Sequence, residues 1–254
     1  MNTTETQYKI PILTYHSIDN SGSVISTSPE KFRSHMQYLS GSSFNVIALE
    51  EIVSCIHENR HFPPRSVAIT FDDGFKNNYD IAYPVLKVYG FRATIFLVTG
   101  FCGKNNQWQG QPAEIPVLEI MDWDEVVEMA NNGIDFGAHT VNHPNLLELT
   151  LEQAEDEIVD SKKEIEERLG KSVLSFAYPY GAKTNKISKI LKDEFMCAFS
   201  TELKVADLNS DIYSLPRIDM YYFSRNNYFT CVGTSNFSHY IKYRKFLRTL
   251  STYI

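Results

Sequence analysis

Ser66-Val67-Ala68-Ile69-Thr70-Phe71 is a run of strand-forming residues that leads directly into Asp72-Asp73-Gly74. β-Branched and aromatic side chains suit a pleated, half-buried surface, and the polar triplet marks the point where the chain leaves it. The arrangement repeats on both sides. Residues 10–18 read as an earlier strand and 46–49 as a short one. Residues 93–99 are almost continuously apolar, 134–138 end at His139, and 173–178 end at Pro179-Tyr180-Gly181. Residues 196–200 and 214–218 complete the set. Helical patterns lie between these runs. One starts at Ser28-Pro29-Glu30, where Ser can cap and Pro suits the first turn. Others cover 50–58, 77–89 (stopped by Gly90), 122–132 and 183–194. The clearest covers 150–169, capped by Thr150 and stopped by Gly170. Strands alternating with helices predict an α/β fold with a parallel sheet, and apolar strands predict cover on both faces. The polar clusters all stand just after strands, where reactive groups collect in barrels of this kind.

The bulk properties narrow the function. The chain has 254 residues with 43% hydrophobic and 22% charged, an ordinary globular balance that supports a core without staples. It is read as one domain over 1–254. The net charge of −7 and the lack of a long basic run exclude nucleic acid as the main partner. The short basic run 242–245 reads as a solvated helix face. The four cysteines, Cys55, Cys102, Cys197 and Cys231, are widely spaced and form no C-x-x-C pair, which points to reduced thiols. The first ten residues carry no basic stretch followed by an apolar run. No secretory signal and no transmembrane segment are expected, and a cytoplasmic location is the corresponding expectation.

Two segments offer a metal site. Asp72-Asp73 taken alone is more often a turn or a helix cap than a site. Held close, two carboxylates push their proton affinities apart. A cation on one relieves that conflict and leaves the other free to take a proton from water. In His139-Thr140-Val141-Asn142-His143-Pro144, two imidazoles four residues apart can face one ion, and Pro144 disfavours a helix running through His143. One carboxylate and two imidazoles with open positions suit zinc, or iron, cobalt or nickel. Phe176-Ala177-Tyr178-Pro179-Tyr180-Gly181 reads as a strand and turn that could wall a groove, with the Tyr180 N–H aimed at an oxyanion. His16 ends the first strand. Histidine titrates near neutrality, so it can protonate a leaving amine there. Tyr and Trp suit sugar faces. The candidate substrate contacts are Tyr15, Trp123, Tyr178 and Pro179, while most of the other aromatics are assigned to the core.

Together these segments resemble the polysaccharide deacetylases of carbohydrate esterase family four, the NodB-homology group, over about residues 10–218. Thr70-Phe71-Asp72-Asp73-Gly74 matches that family's first motif, His139-Thr140-x-x-His143 its second, and Pro179-Tyr180-Gly181 the end of its third. The resemblance implies a distorted (β/α) barrel of about seven parallel strands. It also implies Asp72 as general base, Asp73, His139 and His143 as metal ligands, and Thr140 as a loop anchor. The family's usual third-motif Arg is replaced by Ala177, and Arg217 is the candidate substitute. The usual C-terminal Leu-x-x-His is absent. Tyr15-His16 instead resembles the permuted arrangement of the biofilm poly-N-acetylglucosamine deacetylases, which makes His16 the candidate acid. The function implied is metal-dependent removal of acetyl groups from a carbohydrate. The rivals are a metal-dependent amidohydrolase of a small cyclic amide or imide, and a non-catalytic carbohydrate-binding relative. A glycosidase is disfavoured, because its carboxyl pair must stand about 5–9 Å apart across the bond.

Overall fold

The computed structural model describes residues 8–224 and 228–251, so most of the stretch read for a leader lies outside the described residues. Seven parallel strands close into a ring: β1 (Ile12–Tyr15), β2 (Ser66–Phe71), β3 (Thr94–Leu97), β4 (Asp135–Ala138), β5 (Ser175–Ala177), β6 (Cys197–Leu203) and β7 (Leu215–Asp219). Neighbours round the ring follow chain order, and β1 closes it by pairing with both β2 and β7. The register sets Ile12 opposite Ala68 and Tyr15 opposite Phe71. A short strand, Asn45–Val46, adds to β2 from outside the ring.

Successive side chains on a strand point to opposite faces, which sorts the ring residues into two cores. Ile12, Ala68, Phe96, Ala177, Phe199 and Leu215 share the inner apolar cluster. Leu13, Tyr15, Ile69, Phe71, Phe176 and Tyr178 share the outer one, beneath the helices. The inside is tightly filled at Gly137. A Cβ there would stand 2.5 Å from the Phe96 ring and 2.7 Å from Ser175 Oγ, and such overpacking costs about 1–3 kcal/mol. Towards the carboxyl ends of the strands the filling turns polar. The Thr14 and Thr70 hydroxyls are 3.1 Å apart, and the Arg217 guanidinium lies 5.5 Å from the Phe96 ring and 5.9 Å from that of Phe199.

The helices form where local chemistry predicts. Ser28 caps Pro29–Gly41 by accepting the Lys31 N–H. Thr150 and Gln153 form a capping box on Leu151–Leu169, and Gly170 ends that helix at φ 62°. Two expectations are corrected. The strand over 10–18 is broken at Pro11, which has no N–H to donate, and again at His16, where the chain leaves the ring. The helix over 77–89 opens as a π-turn at Asn78–Ala82 before the α-helix Tyr83–Tyr89. Pro84 cannot donate to the carbonyl one turn back, so the regular ladder fails there. The helix Ser235–Ser251 is only hinted at by the basic run within it. Among the described residues no helix is long and apolar enough to cross a membrane, and all four cysteines are free.

Candidate metal centre and its base

Asp73, His139 and His143 come from the ends of β2 and β4 and meet in one buried cluster, their ligand atoms within 4.8 Å of one another. The Nε2 atoms of His139 and His143 lie 3.5 and 3.4 Å from the same Asp73 oxygen. Both remaining imidazole nitrogens are engaged: His139 Nδ1 meets the Ala177 carbonyl at 2.7 Å and His143 Nδ1 meets the Tyr180 hydroxyl at 3.1 Å. That arrangement leaves the Nε2 lone pairs for an ion. Burial pushes the Asp73 carboxyl up, against the pull of the histidines. Burial, then the neighbouring His139, pushes His143 well down, which leaves the neutral imidazole that a metal ligand must be. The donor set fits a divalent transition metal with open positions.

Asp72 stands beside this cluster with a different partner. Arg217 reaches up from β7 and donates to both its oxygens, at 2.6 and 2.7 Å. Burial alone would raise the Asp72 carboxyl. The guanidinium, His139 and His16 outweigh it and hold the group well below the usual carboxylate range. His16 Nε2 is 3.8 Å from Asp72 Oδ2 on the open side. Asn78 donates to the His16 carbonyl at 2.8 Å and Asn77 accepts the Ile18 N–H at 2.8 Å, so the segment after the aspartates anchors the histidine's backbone.

Strain concentrates here. Asp73, Thr140, His143 and Tyr180 take φ values of 73°, 69°, 56° and 58°, a region that side-chain-bearing residues rarely enter. Thr140 Oγ1 accepts the His143 N–H at 3.0 Å, and Glu157, from the helix Leu151–Leu169, accepts the N–H groups of Val141 and Asn142 at 2.9 and 2.8 Å. The histidine loop is therefore tied at its centre and held from behind.

A cavity of about 320 Å³ opens over His16, Asp72 and Arg217, walled by Ser200, Thr201, Asp219, Tyr221 and Tyr222. None of the four expected substrate contacts lines it. Tyr15 and Tyr178 stand on the outward phase of their strands. Their hydroxyls meet His35 Nδ1 and the Tyr213 carbonyl, each at 3.0 Å, inside the protein. Trp123 opens a helix of the outer layer, with Arg168 stacked 5.2 Å from its ring. Pro179 is buried within its turn, while Tyr180 is half-exposed.

Three participants escape a reading of the sequence. Trp108 lies in the polar loop after β3, buried, with its ring 4.5 Å from that of His143. Its only sequence signal is a tryptophan in a Gly/Gln/Asn-rich segment. Asp219 ends β7 half-buried in the same cavity as His16, its carboxyl raised by burial. Glu157 is one acid among many on an amphipathic helix.

Comparison with known proteins agrees with this geometry. The polysaccharide deacetylase family model matches residues 59–195. The Bacillus subtilis (strain 168) protein YxkH is 31% identical over 216 residues, 85% of this chain and 72% of its own length. The poly-β-1,6-N-acetyl-D-glucosamine N-deacetylase of Staphylococcus epidermidis is 30% identical over 203 residues, 76% of this chain and 67% of the relative. Among solved structures, the Streptococcus pyogenes deacetylase PplD in complex with acetate aligns with TM-score 0.72 at 27% identity, over 83% of this chain and 92% of that one. On the span of the family match and the likeness of these relatives, the chain belongs to the polysaccharide deacetylase family.

Proposed function

We propose that this protein is a divalent-metal-dependent hydrolase that removes N-acetyl groups from a carbohydrate and releases acetate. The observation that carries the reading is a trio of ligands, Asp73, His139 and His143, beside a carboxylate, Asp72, that Arg217 holds ionised and apart from them. Asp73, His139 and His143 would hold the ion, which would supply a Lewis acid for the acetyl carbonyl and lower the pKa of an attacking water.

Asp72 takes the proton from that water. Its bidentate pair with Arg217 fixes the plane of the carboxylate and keeps it deprotonated. The carbonyl carbon becomes tetrahedral, and the Tyr180 backbone N–H, presented by the strained turn after β5, donates to the developing oxyanion. His16, whose Nε2 lies 3.8 Å from Asp72 Oδ2, gives a proton to the leaving amine. The C–N bond breaks, and the products are acetate and a free amino sugar. The sugar lies in the cavity walled by Tyr221 and Tyr222, whose rings offer apolar planes with polar edges.

The test is acetate release from a panel of N-acetylglucosamine oligomers, with a cyclic imide assayed for ring opening alongside. Acetate release that a chelator abolishes and zinc restores is the expected result. Ring opening without acetate release would move the chain to the cyclic-amide reading, and turnover indifferent to chelator would remove the metal from the mechanism.

A further inference from the structure

The two imidazole ligands are held by different kinds of group. His139 Nδ1 meets a backbone carbonyl, that of Ala177, at 2.7 Å, which no substitution removes. His143 Nδ1 meets a side chain instead, the Tyr180 phenol, at 3.1 Å. An imidazole that turns the Nε2 lone pair to a cation carries its proton on Nδ1, so the Tyr180 oxygen is the acceptor. The phenol has one other role to fill at this spot. Its ring lies edge-on to His143 with centroids 4.7 Å apart, while the Trp108 ring packs 4.5 Å away at a 37° tilt. The Trp108 N–H faces the Tyr180 hydroxyl, so the indole supports the phenol as well as packing on the imidazole.

The backbone is shaped for this contact. Tyr180 takes φ 58° and ψ 4°, and Gly181 after it stands so close to Thr201 that a Cβ would lie 2.1 Å from the Thr201 hydroxyl. Strain of this kind persists only where the surroundings over-determine it. His143 itself sits at φ 56°, so its own backbone does not secure the ring by ordinary rotamer preference.

We propose that Tyr180 and Trp108 are positioning residues that clamp the metal ligand His143, the phenol fixing its tautomer and the indole its ring plane. This rests on the metal reading above. It gives Tyr180 two separable parts: a backbone N–H for the oxyanion, and a hydroxyl for the ligand. Tyr180→Phe removes the second and keeps the first.

Zinc affinity, measured by chelator competition on the full chain, tests the clamp without recourse to turnover. Tyr180→Phe is expected to weaken zinc about 10–100-fold, the usual cost of losing a ligand's outer partner, with the melting temperature of the metal-free protein unchanged. Trp108→Phe, which keeps an aromatic plane, is expected to weaken it less than Trp108→Leu. The cobalt-substituted protein gives a second readout, since a ligand freed to rotate alters the visible absorption bands. Wild-type zinc affinity and an unaltered cobalt spectrum in Tyr180→Phe would overturn the proposal. His143→Ala controls for the site: if it still binds zinc as tightly as wild type, the metal reading fails, and the clamp with it.

Discussion

Asp72 and Asp73 are adjacent in the chain, yet one is gripped by Arg217 and the other faces two imidazoles. The division rests on backbone: Asp73 turns to φ 73° and Gly74 to 75°, so the second carboxylate leaves the strand's alternation and swings to the histidines. Asp72→Asn removes the proposed base but none of the proposed ligands. It is expected to keep its zinc, measured by mass spectrometry, while acetate release falls about 10²–10⁴-fold. Arg217→Met leaves a buried carboxylate without its counter-charge. That should cost about 3–5 kcal/mol in urea denaturation, and an unchanged midpoint would mean the pair is not what it looks to be. The cluster of Asp73, His139 and His143 was legible in the sequence because both segments that carry it follow an apolar strand. The Tyr15 and Tyr178 assignments fail on strand phase: His16 shares the inward phase of Ile12 and Thr14, which turns Tyr15 outward to His35. Strands of three or four residues hold too little alternation for that phase to be read before the register is known.

Helices supply what the loops cannot hold alone. Glu157 projects from Leu151–Leu169 and accepts two backbone N–H groups and the Asn142 side-chain amide of the histidine loop. Glu157→Ala is expected to weaken zinc several-fold, by the logic of outer-shell support, with little change in the melting point of the metal-free protein. The helix was plain in the sequence from its cap and its stop. Its grip on the loop was not, because the partner is reached through space. The helix Pro29–Gly41 contributes His35, buried against Tyr15 and stacked 3.8 Å from Phe229. Burial, then Lys31, lowers His35 to about 3, against an ordinary value near 6.5. The folded protein keeps it neutral while the unfolded chain protonates as pH falls below about 6.5. Stability is therefore lost on going down from that pH towards 3, by up to about 1.4 kcal/mol per pH unit from this group. His35→Gln keeps an acceptor for the Tyr15 hydroxyl and removes the titration. Urea midpoints of the metal-free proteins between pH 7.5 and 5 should fall more steeply for the wild type; parallel curves would exclude His35 as the source.

At the scale of the molecule, an ion that binds only the folded ring adds to its stability. Zinc at about 100 times its dissociation constant contributes about 2.7 kcal/mol. Scanning calorimetry should show the melting point rise with zinc for the wild type and stay flat for His139→Ala. The ring itself could be expected from strand–helix alternation, but its closure could not, since β1 and β7 lie at opposite ends of the described barrel and no local pattern joins them.

That closing seam decides which parts of the site meet. Asp73, His139 and His143 follow β2 and β4, within the first half or so of the sequence, whereas Arg217, which grips Asp72, arrives on the last strand and His16 follows the first. The cluster and the arginine grip on Asp72 therefore draw on different stretches of the chain, and only the closed seam brings them together.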